Sequence, residues 1–310
     1  MIHSCLNEGH SMNTKPLLLT ALLCLVPLAV QAKGPAYATP EEARSAEPGF
    51  DFQGEYAGDG VGVQVIDLGK GKFRAVKFNG GLPGAGWDKS DKVETEGDKD
   101  AVSAVVAGLK KVERKSPTLG KAAPEGAVVL FDGSDDSLKA HWKDGAKKTD
   151  DGLLQEGVTS LDKFGSHQLH IEFRLPFMPH DQAQARGNSG CYVQGRYEVQ
   201  MLDSFGLKGL DNECGGIYKA APPSVNMCLP PLSWQTYDID FTAAKFDAEG
   251  KKTENARVTV KHNGVVIHDN IELPAGTPGG VGGESPEPGP LFLQNHGDPV
   301  RYRNIWAVAR

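Results

Sequence analysis

Short segments in which apolar and polar residues alternate recur along this chain and restrict how it can fold. The clearest runs from Phe164 to Leu175, where Leu169, Ile171 and Phe173 alternate with polar residues. Such alternation indicates a β-strand with one face on an apolar core. The 310 residues include 38 glycines and 20 prolines, which favour turns between such strands, and long amphipathic helical patterns are absent from the sequence. We therefore predict a mostly β protein.

The second part of the chain has the strand spacing of a β-sandwich. The predicted strands cover residues 128–131, 164–176, 191–201, 234–241, 256–262, 265–268, 291–294 and 301–308. Asn263-Gly264 is a tight-turn pair between two of them. Strands at this spacing, with turns between them, predict an all-β fold in which two sheets pack as a jelly-roll sandwich.

The first residues are expected to be a leader rather than part of the fold. Residues 1–32 contain a lysine, then an apolar run from Leu17 to Val30, and end in the small-residue pattern Val30-Gln31-Ala32. This pattern predicts a signal peptide, with Lys33 as the first mature residue. The run is shorter than the roughly 20 apolar residues that a membrane span needs. We therefore predict an exported protein, periplasmic or extracellular, without a membrane span.

A smaller unit is expected between the leader and the sandwich. The predicted boundaries are residues 33–49 for a linker, 50–121 for a small N-terminal β-rich domain and 127–310 for the sandwich domain. Within the small domain, Val61 to Leu68 and Lys72 to Phe78 form a predicted hairpin across Gly69-Lys70-Gly71. The segment from Asp98 to Lys111 is compatible with either a short helix or a strand.

Charge and cysteine content limit the partners of the protein. The formal net charge is -7, which argues against nucleic acid because phosphate contacts need clustered lysines and arginines. A neutral or polar ligand fits better. After the leader the cysteines are Cys191, Cys214 and Cys228, so one intramolecular bridge at most can form. Cys214 and Cys228 would close a short loop in an oxidising compartment, and the sequence leaves open whether they do.

One polar stretch, Gly187 to Asp203, is the candidate site. From Cys191 onward, alternation places on one face Tyr192, Gln194, Arg196, Glu198 and Gln200, and on the other Val193, Tyr197, Val199 and Met201. A solvated sheet face is the alternative interpretation of this spacing. Asn188 and Asp203 add to the crowding of polar groups, although Asp203 is out of phase with Glu198 unless a bulge intervenes.

Several motifs together resemble the 3-keto-disaccharide hydrolase family. They are Val129-Leu-Phe-Asp-Gly, Phe164-Gly-Ser-His-Gln-Leu-His, Gly187-Asn-Ser-Gly-Cys-Tyr, Trp234-Gln-Thr-Tyr-Asp-Ile, Val258-Thr-Val-Lys-His-Asn-Gly and Leu293-Gln-Asn-His-Gly-Asp-Pro, in that order. The resemblance covers about residues 127–310, and residues 50–121 resemble an N-terminal extension of some secreted members. It implies a concanavalin A-like lectin/glucanase fold and cleavage of glycosides that carry a ketone at C3.

The motif Glu198-x-Gln200-x-x-Asp203 is similar to the Glu-x-Asp-x-x-Glu strand of glucanases on this fold, but Gln200 replaces the middle acid and the shorter Asp203 replaces the outer glutamate. A retaining glycosidase needs two carboxyl groups about 5 to 5.5 Å apart, so this motif argues against direct displacement. A C3 ketone permits another route, since it acidifies the proton on C2 and allows elimination followed by hydration. We assign Glu198 as base or acid and Asp203 as its partner. His296, with Arg301, is expected to hold the enolate and ring hydroxyls.

The remaining predictions concern binding and the class of protein. The predicted substrate-binding residues are Asn188, Tyr192, Arg196, Gln200, Tyr218, Gln294 and Arg301. We expect a carbohydrate substrate and neither a cofactor nor a catalytic metal, while a structural divalent cation and the oligomeric state stay open. The alternative to an enzyme is a noncatalytic, lectin-like sugar-binding module, because one fold supports many functions.

Overall fold

The computed structural model describes residues 33–310, which form one compact unit. The predicted signal peptide lies outside these residues. The helices are α1 (Pro40–Ala46), α2 (Lys99–Val106) and α3 (Asp135–His141), with a short 3-10 helix at Ala183–Ala185. The strands are β1 (Gly54–Gly58), β2 (Val61–Asp67), β3 (Phe73–Asn79), β4 (Val93–Gly97), β5 (Lys110–Val112), β6 (Val128–Phe131), β7 (Leu154–Gln155), β8 (Val158–Phe164), β9 (His167–Arg174), β10 (Ser189–Val193), β11 (Tyr197–Met201), β12 (Trp234–Thr242), β13 (Lys245–Phe246), β14 (Lys252–Glu254), β15 (Ala256–His262), β16 (Val265–Leu273), β17 (Gly289–Leu293) and β18 (Arg301–Ala309). Within residues 33–310, no helix is long and apolar enough to cross a membrane.

The second part of the chain is the predicted sandwich. A seven-stranded sheet has the order β16-β15-β12-β9-β18-β6, with β7 paired to β18, and a four-stranded sheet has the order β11-β10-β17-β8. Ile171 and Phe173 of β9, and Cys191 and Val199 of the smaller sheet, belong to one buried core cluster. The all-β sandwich predicted from the alternation is therefore confirmed.

The predicted strand over residues 191–201 is a hairpin of two strands, so the prediction of a continuous strand is wrong. Three residues, Gln194, Gly195 and Arg196, join the paired Val193 and Tyr197, and Gln194 and Gly195 have left-handed φ values of 53° and 63°. Tyr192 consequently pairs with Glu198 across the two strands. Because directly paired residues point to the same face, the predicted grouping of these two side chains survives the error.

The first five strands form a separate sheet with the order β4-β3-β2-β1-β5. The predicted hairpin is present as β2 and β3, and the ambiguous segment 98–111 contains both α2 and β5. One face of the sheet packs Val63 and Val65 against Val102 of α2. The opposite face contributes Ile66 and Phe78 to the main core of the sandwich. This sheet is therefore buried on both faces.

The predicted linker contains ordered structure. Thr39 caps α1 in a capping box, since its hydroxyl accepts from the backbone N–H of Glu42 while the Glu42 carboxylate reaches back to the cap. Tyr37 pairs through its backbone with Phe177 of the sandwich. The domain boundaries near residues 49 and 121–127 stay predictions.

The outer face of the seven-stranded sheet is covered rather than solvated. His170 and Glu172 of β9 are fully buried. The backbone N–H of Gly120 donates to Glu172 Oε1 at 2.5 Å, and the Thr118 hydroxyl donates to Asp238 at 2.6 Å. Although burial raises the pKa of Glu172, hydrogen bonds from His170, Asn304, Gly120 and Arg303 lower it to about 2. The segment joining the two parts of the chain is thus held by the buried carboxylate of Glu172 and the half-buried carboxylate of Asp238.

The three cysteines of the described residues are buried free thiols. Cys214 Sγ lies 3.3 Å from the Tyr237 hydroxyl, and Cys228 Sγ lies 3.6 Å from the Leu229 carbonyl. The bridge between Cys214 and Cys228 that the sequence left open is therefore not present in this structure.

Because the N-terminal sheet shares its core with the sandwich, we expect Phe78→Ala to destabilise the whole described unit. Loss of a fully buried phenylalanine costs about 3 to 5 kcal/mol, so a single urea transition should move to lower concentration. Val93→Ala, at a side chain that is 60% exposed, is the control and should change little. An early partial transition that leaves the sandwich transition in place would contradict a shared core.

Candidate active site

A groove lies on the outer face of the four-stranded sheet. Its volume is about 300 Å³, at the lower end of the range for small-molecule sites. The lining residues come from the β10–β11 hairpin and from four loops: Gln184, Asn188, Tyr192, Glu198, Gln200, Tyr218, Lys219, Pro278, Gly279, Gln294 and His296. Seven of the ten predicted site residues are therefore brought together here.

Glu198 lies at the floor of this groove and is 2% exposed. The Tyr192 hydroxyl donates to its Oε2 at 2.7 Å. The other oxygen lies against Gly190, where an added Cβ would be 2.2 Å from Oε1. A glycine is therefore required on the neighbouring strand for this carboxyl group to lie flat against the sheet.

Burial raises the pKa of Glu198 to about 7, and the hydrogen bond from Tyr192 opposes that rise. The Tyr192 oxygen also lies 2.8 Å from the Pro278 carbonyl. A tyrosine hydroxyl has one proton, so it cannot donate to both acceptors. When Glu198 is protonated it can donate to Tyr192, which then donates to Pro278. The surroundings thus favour a carboxyl group that gains and loses its proton near neutral pH.

His296 lies at the rim of the groove on the loop between β17 and β18. The loop is fixed by the buried Asp298, whose carboxylate accepts from the backbone N–H of Asn188 and from Lys33 Nζ, both at 2.7 Å. Lys33 Nζ also donates to the His296 carbonyl at 2.8 Å. Burial and the nearby Lys33 charge lower the pKa of His296, which favours a neutral imidazole.

Side-chain amides also line the groove. Gln294 Nε2 donates to the Tyr192 hydroxyl at 3.3 Å, and Asn188 Nδ2 donates to the Gln184 carbonyl at 2.8 Å. Asn188 Oδ1 is buried and has no hydrogen-bond partner within residues 33–310. An unsatisfied acceptor in a buried position is costly, so this oxygen is available to a ligand hydroxyl.

Asp203 does not lie in the groove, and its predicted partnership with Glu198 is corrected. Its carboxylate accepts from Arg186 Nε at 2.6 Å and is almost fully buried. β11 ends at Met201, and its pairing with β10 is regular. No bulge in β11 therefore turns Asp203 toward Glu198.

Two predicted substrate-binding arginines are also outside the groove. Arg196 donates to the backbone carbonyls of Ser285 and Glu287 at 3.1 and 2.9 Å, so it holds the loop before β17. Arg301 pairs with Glu156 at 2.6 Å. Neither arginine lines the groove, and both guanidinium groups make structural contacts instead.

The sequence did not identify four groove residues. Gln184 and Lys219 lie in loops without a motif, and no local pattern marks them. Pro278 and Gly279 belong to a segment predicted only as a Gly/Pro loop. Gly279 has a φ of 85°, and a Cβ there would lie 2.6 Å from the Tyr192 hydroxyl. The steric need for glycine at this position comes from Tyr192, which is distant in sequence, so the local sequence does not reveal it.

Asp132, an acidic residue just before α3, orders the N-terminal cap of that helix, Ser134. Asp132 accepts from the Ser134 backbone N–H at 2.9 Å and from the Ser137 hydroxyl at 2.7 Å. Across residues 33–310, no three His, Cys, Asp or Glu side chains are grouped to hold a metal ion. The expectation of no cofactor stays a prediction.

Replacing the buried acid should change how stability depends on pH. The pKa of Glu198 rises from an ordinary 4.5 to about 7 on folding, so the wild type loses stability as pH rises through that window. We expect Glu198→Gln to remove this loss and to gain up to about 3 kcal/mol relative to wild type between pH 4 and pH 8. Urea unfolding at several pH values measures it. Glu254→Gln, at an exposed ion pair, is the control; a constant difference for Glu198→Gln would contradict the raised pKa.

Comparison with known proteins places the sandwich in a family. A family described as the 3-keto-alpha-glucoside-1,2-lyase-like domain matches residues 126–308. No curated protein matches the chain.

Among solved structures, a "putative glycosyl hydrolase" from Parabacteroides distasonis is 34% identical, with a TM-score of 0.54 over 61% of this chain and 85% of that one. A second protein of that description from the same organism is 18% identical, with a TM-score of 0.42 over 60% of this chain and 94% of the other. The family match and the first structure agree with the motifs read from the sequence. The chain therefore belongs to the 3-keto-alpha-glucoside-1,2-lyase-like family and is a carbohydrate-active, hydrolase-like protein.

Proposed function

We propose that this protein cleaves glycosides whose sugar carries a ketone at C3, by elimination across C1 and C2 followed by hydration. The observation that carries the proposal is Glu198, a buried carboxyl group in a sugar-sized groove with a pKa of about 7. A base is most effective when its pKa lies near the working pH. The family description, which names a 1,2-lyase, supports elimination as the first step.

In the first step, ionised Glu198 takes the proton from C2, and the electron pair forms an enolate with the C3 ketone. The enolate oxygen accepts hydrogen bonds from the neutral His296 imidazole and from a groove amide such as that of Gln294. The electron pair then forms the C1–C2 double bond while the bond from C1 to the leaving oxygen breaks. Protonated Glu198 supplies the proton that the leaving oxygen takes.

Hydration reverses these roles. Water adds to C1 of the enone and gives its proton to Glu198, which returns a proton to C2. The net result is hydrolysis without an oxocarbenium ion. One titrating carboxyl group is sufficient for this sequence, which removes the need for the second acid that Asp203 does not provide. Tyr192 holds Glu198 in place through both changes of charge.

We also propose that the protein acts after export, in the periplasm or outside the cell. The support is the apolar, small-residue pattern of residues 1–32 described from the sequence. A noncatalytic sugar-binding module is the alternative function. A lectin surface has little use for a buried acid with raised proton affinity, whereas an acid/base site depends on one.

The direct test is product release from a 3-keto disaccharide. We expect the wild type to release free monosaccharide and Glu198→Gln to lower kcat/KM by about 10²-fold to 10⁴-fold, the usual contribution of a general base. Glu254→Gln serves as the matched control and should match the wild type. Substrate binding without release by the wild type would favour the sugar-binding module, and full activity in Glu198→Gln would overturn the assignment.

Tyr192→Phe tests the environment of the acid. The tyrosine hydrogen bond lowers the pKa of Glu198, so its removal should raise that pKa. Since Glu198 acts first as a base, activity rises as pH rises through its pKa. We expect the acidic limb of the kcat/KM profile to move to higher pH in Tyr192→Phe. A limb that stays in place or moves to lower pH would show that another group controls it.

A further inference from the structure

A second cavity lies beside the groove, between the N-terminal sheet and the sandwich. Its volume is about 330 Å³. Ile66, Leu68 and Arg74 line it from the N-terminal sheet, while Leu202, Phe205 and Leu210 line it from the segment after β11. This cavity takes no part in the chemistry described above.

Gln184 separates the two cavities and lines both of them. Its Oε1 accepts from Gln200 Nε2 in the groove at 3.3 Å. Its Nε2 donates to the carbonyl of Asn212, which lines the second cavity, at 2.8 Å. The two cavities are therefore adjacent at this side chain.

Leucines that are partly exposed to solvent surround the second cavity. Leu210 is 47% exposed, and Leu68 and Leu207 are half-buried. They come from different parts of the chain and meet at one opening. Single exposed apolar side chains are ordinary, but several around one concave surface indicate a ligand with an apolar body.

Polar residues also line this cavity, and among them Arg186 is only 6% exposed. Its Nε pairs with Asp203, and its Nη1 donates to the Asp67 carbonyl at 3.1 Å. Its Nη2 is buried and has no hydrogen-bond partner in the part of the chain that the structure describes. Because Asp203 balances the charge, this nitrogen suits a neutral acceptor oxygen better than an anion.

We propose that the second cavity binds the aglycone of the substrate, and that the preferred aglycone is apolar or aromatic and carries an acceptor oxygen for Arg186. The proposal rests on the proposed function, which places the 3-keto sugar in the groove. It gives the N-terminal sheet a role, since Ile66 and Leu68 form one wall of the aglycone site. Asp203, which has no catalytic role in the proposed mechanism, orients Arg186 in that site.

The test compares two substrates that share the sugar, 4-nitrophenyl 3-keto-glucoside and methyl 3-keto-glucoside. We expect Leu210→Asn and Leu68→Asn to lower kcat/KM for the nitrophenyl substrate by about fivefold to tenfold, mainly through KM. The methyl substrate does not reach the cavity, so its kcat/KM should stay unchanged. Leu161→Asn is the matched control, since Leu161 is 52% exposed on β8 and lines neither cavity.

Equal losses for both substrates, or no loss for either, would overturn the aglycone site. Calorimetric titration with 4-nitrophenol alone provides a second measurement that does not depend on turnover. We expect the wild type and Leu161→Asn to bind it, and the two cavity variants to bind it at least fivefold more weakly by the same apolar argument. If neither glycoside is cleaved, the proposed function is wrong. If 4-nitrophenol does not bind, or binds equally to the wild type and all variants, the aglycone site is wrong.

Discussion

The hydrogen bond from Tyr192 to Glu198 depends on a hairpin loop of three residues, Gln194 to Arg196. Gln194 and Gly195 return the chain so that the tyrosine and the acid are directly opposite one another. A turn with one more residue would shift the pairing and move one of the two side chains to the core. The groove, the pKa of the acid and the proposed chemistry all follow from this register, because Glu198 is the acid that lines the groove within residues 33–310.

Burial raises the pKa of Glu198, and small residues around the carboxyl group make that burial possible. Gly190 leaves room for Oε1, and Gly279 leaves room for the tyrosine hydroxyl. The carboxyl group is thereby closed off from water by backbone rather than by other charges. A charged neighbour would have set its pKa far from neutrality, whereas desolvation with one neutral hydrogen bond sets it near 7.

Much of this site follows from local sequence. Alternation grouped Tyr192, Glu198 and Gln200 on one face, and the grouping holds because the hairpin pairs Tyr192 directly with Glu198. Asp203 was misplaced because it lies beyond β11, where the backbone direction depends on contacts with Arg186. The two other arginines were misplaced for a similar reason, because their partners come from distant segments that periodicity does not reveal. No sequence pattern identifies Gln184, since it reaches the two cavities only in the folded chain.

The loop before β17 is anchored at two points and has few contacts between them. Its first part contacts the hairpin, where the Thr277 hydroxyl accepts from the backbone N–H of Glu198 at 2.8 Å, and Arg196 holds its later part through Ser285. Between these anchors, a Cβ at Gly282 or Gly283 would meet no atom within 4 Å. Length and composition can therefore diverge at this tip without disturbing the acid below. In the evolution of such proteins, or in a laboratory library, it offers a place to remodel the mouth of the groove while the chemistry is preserved.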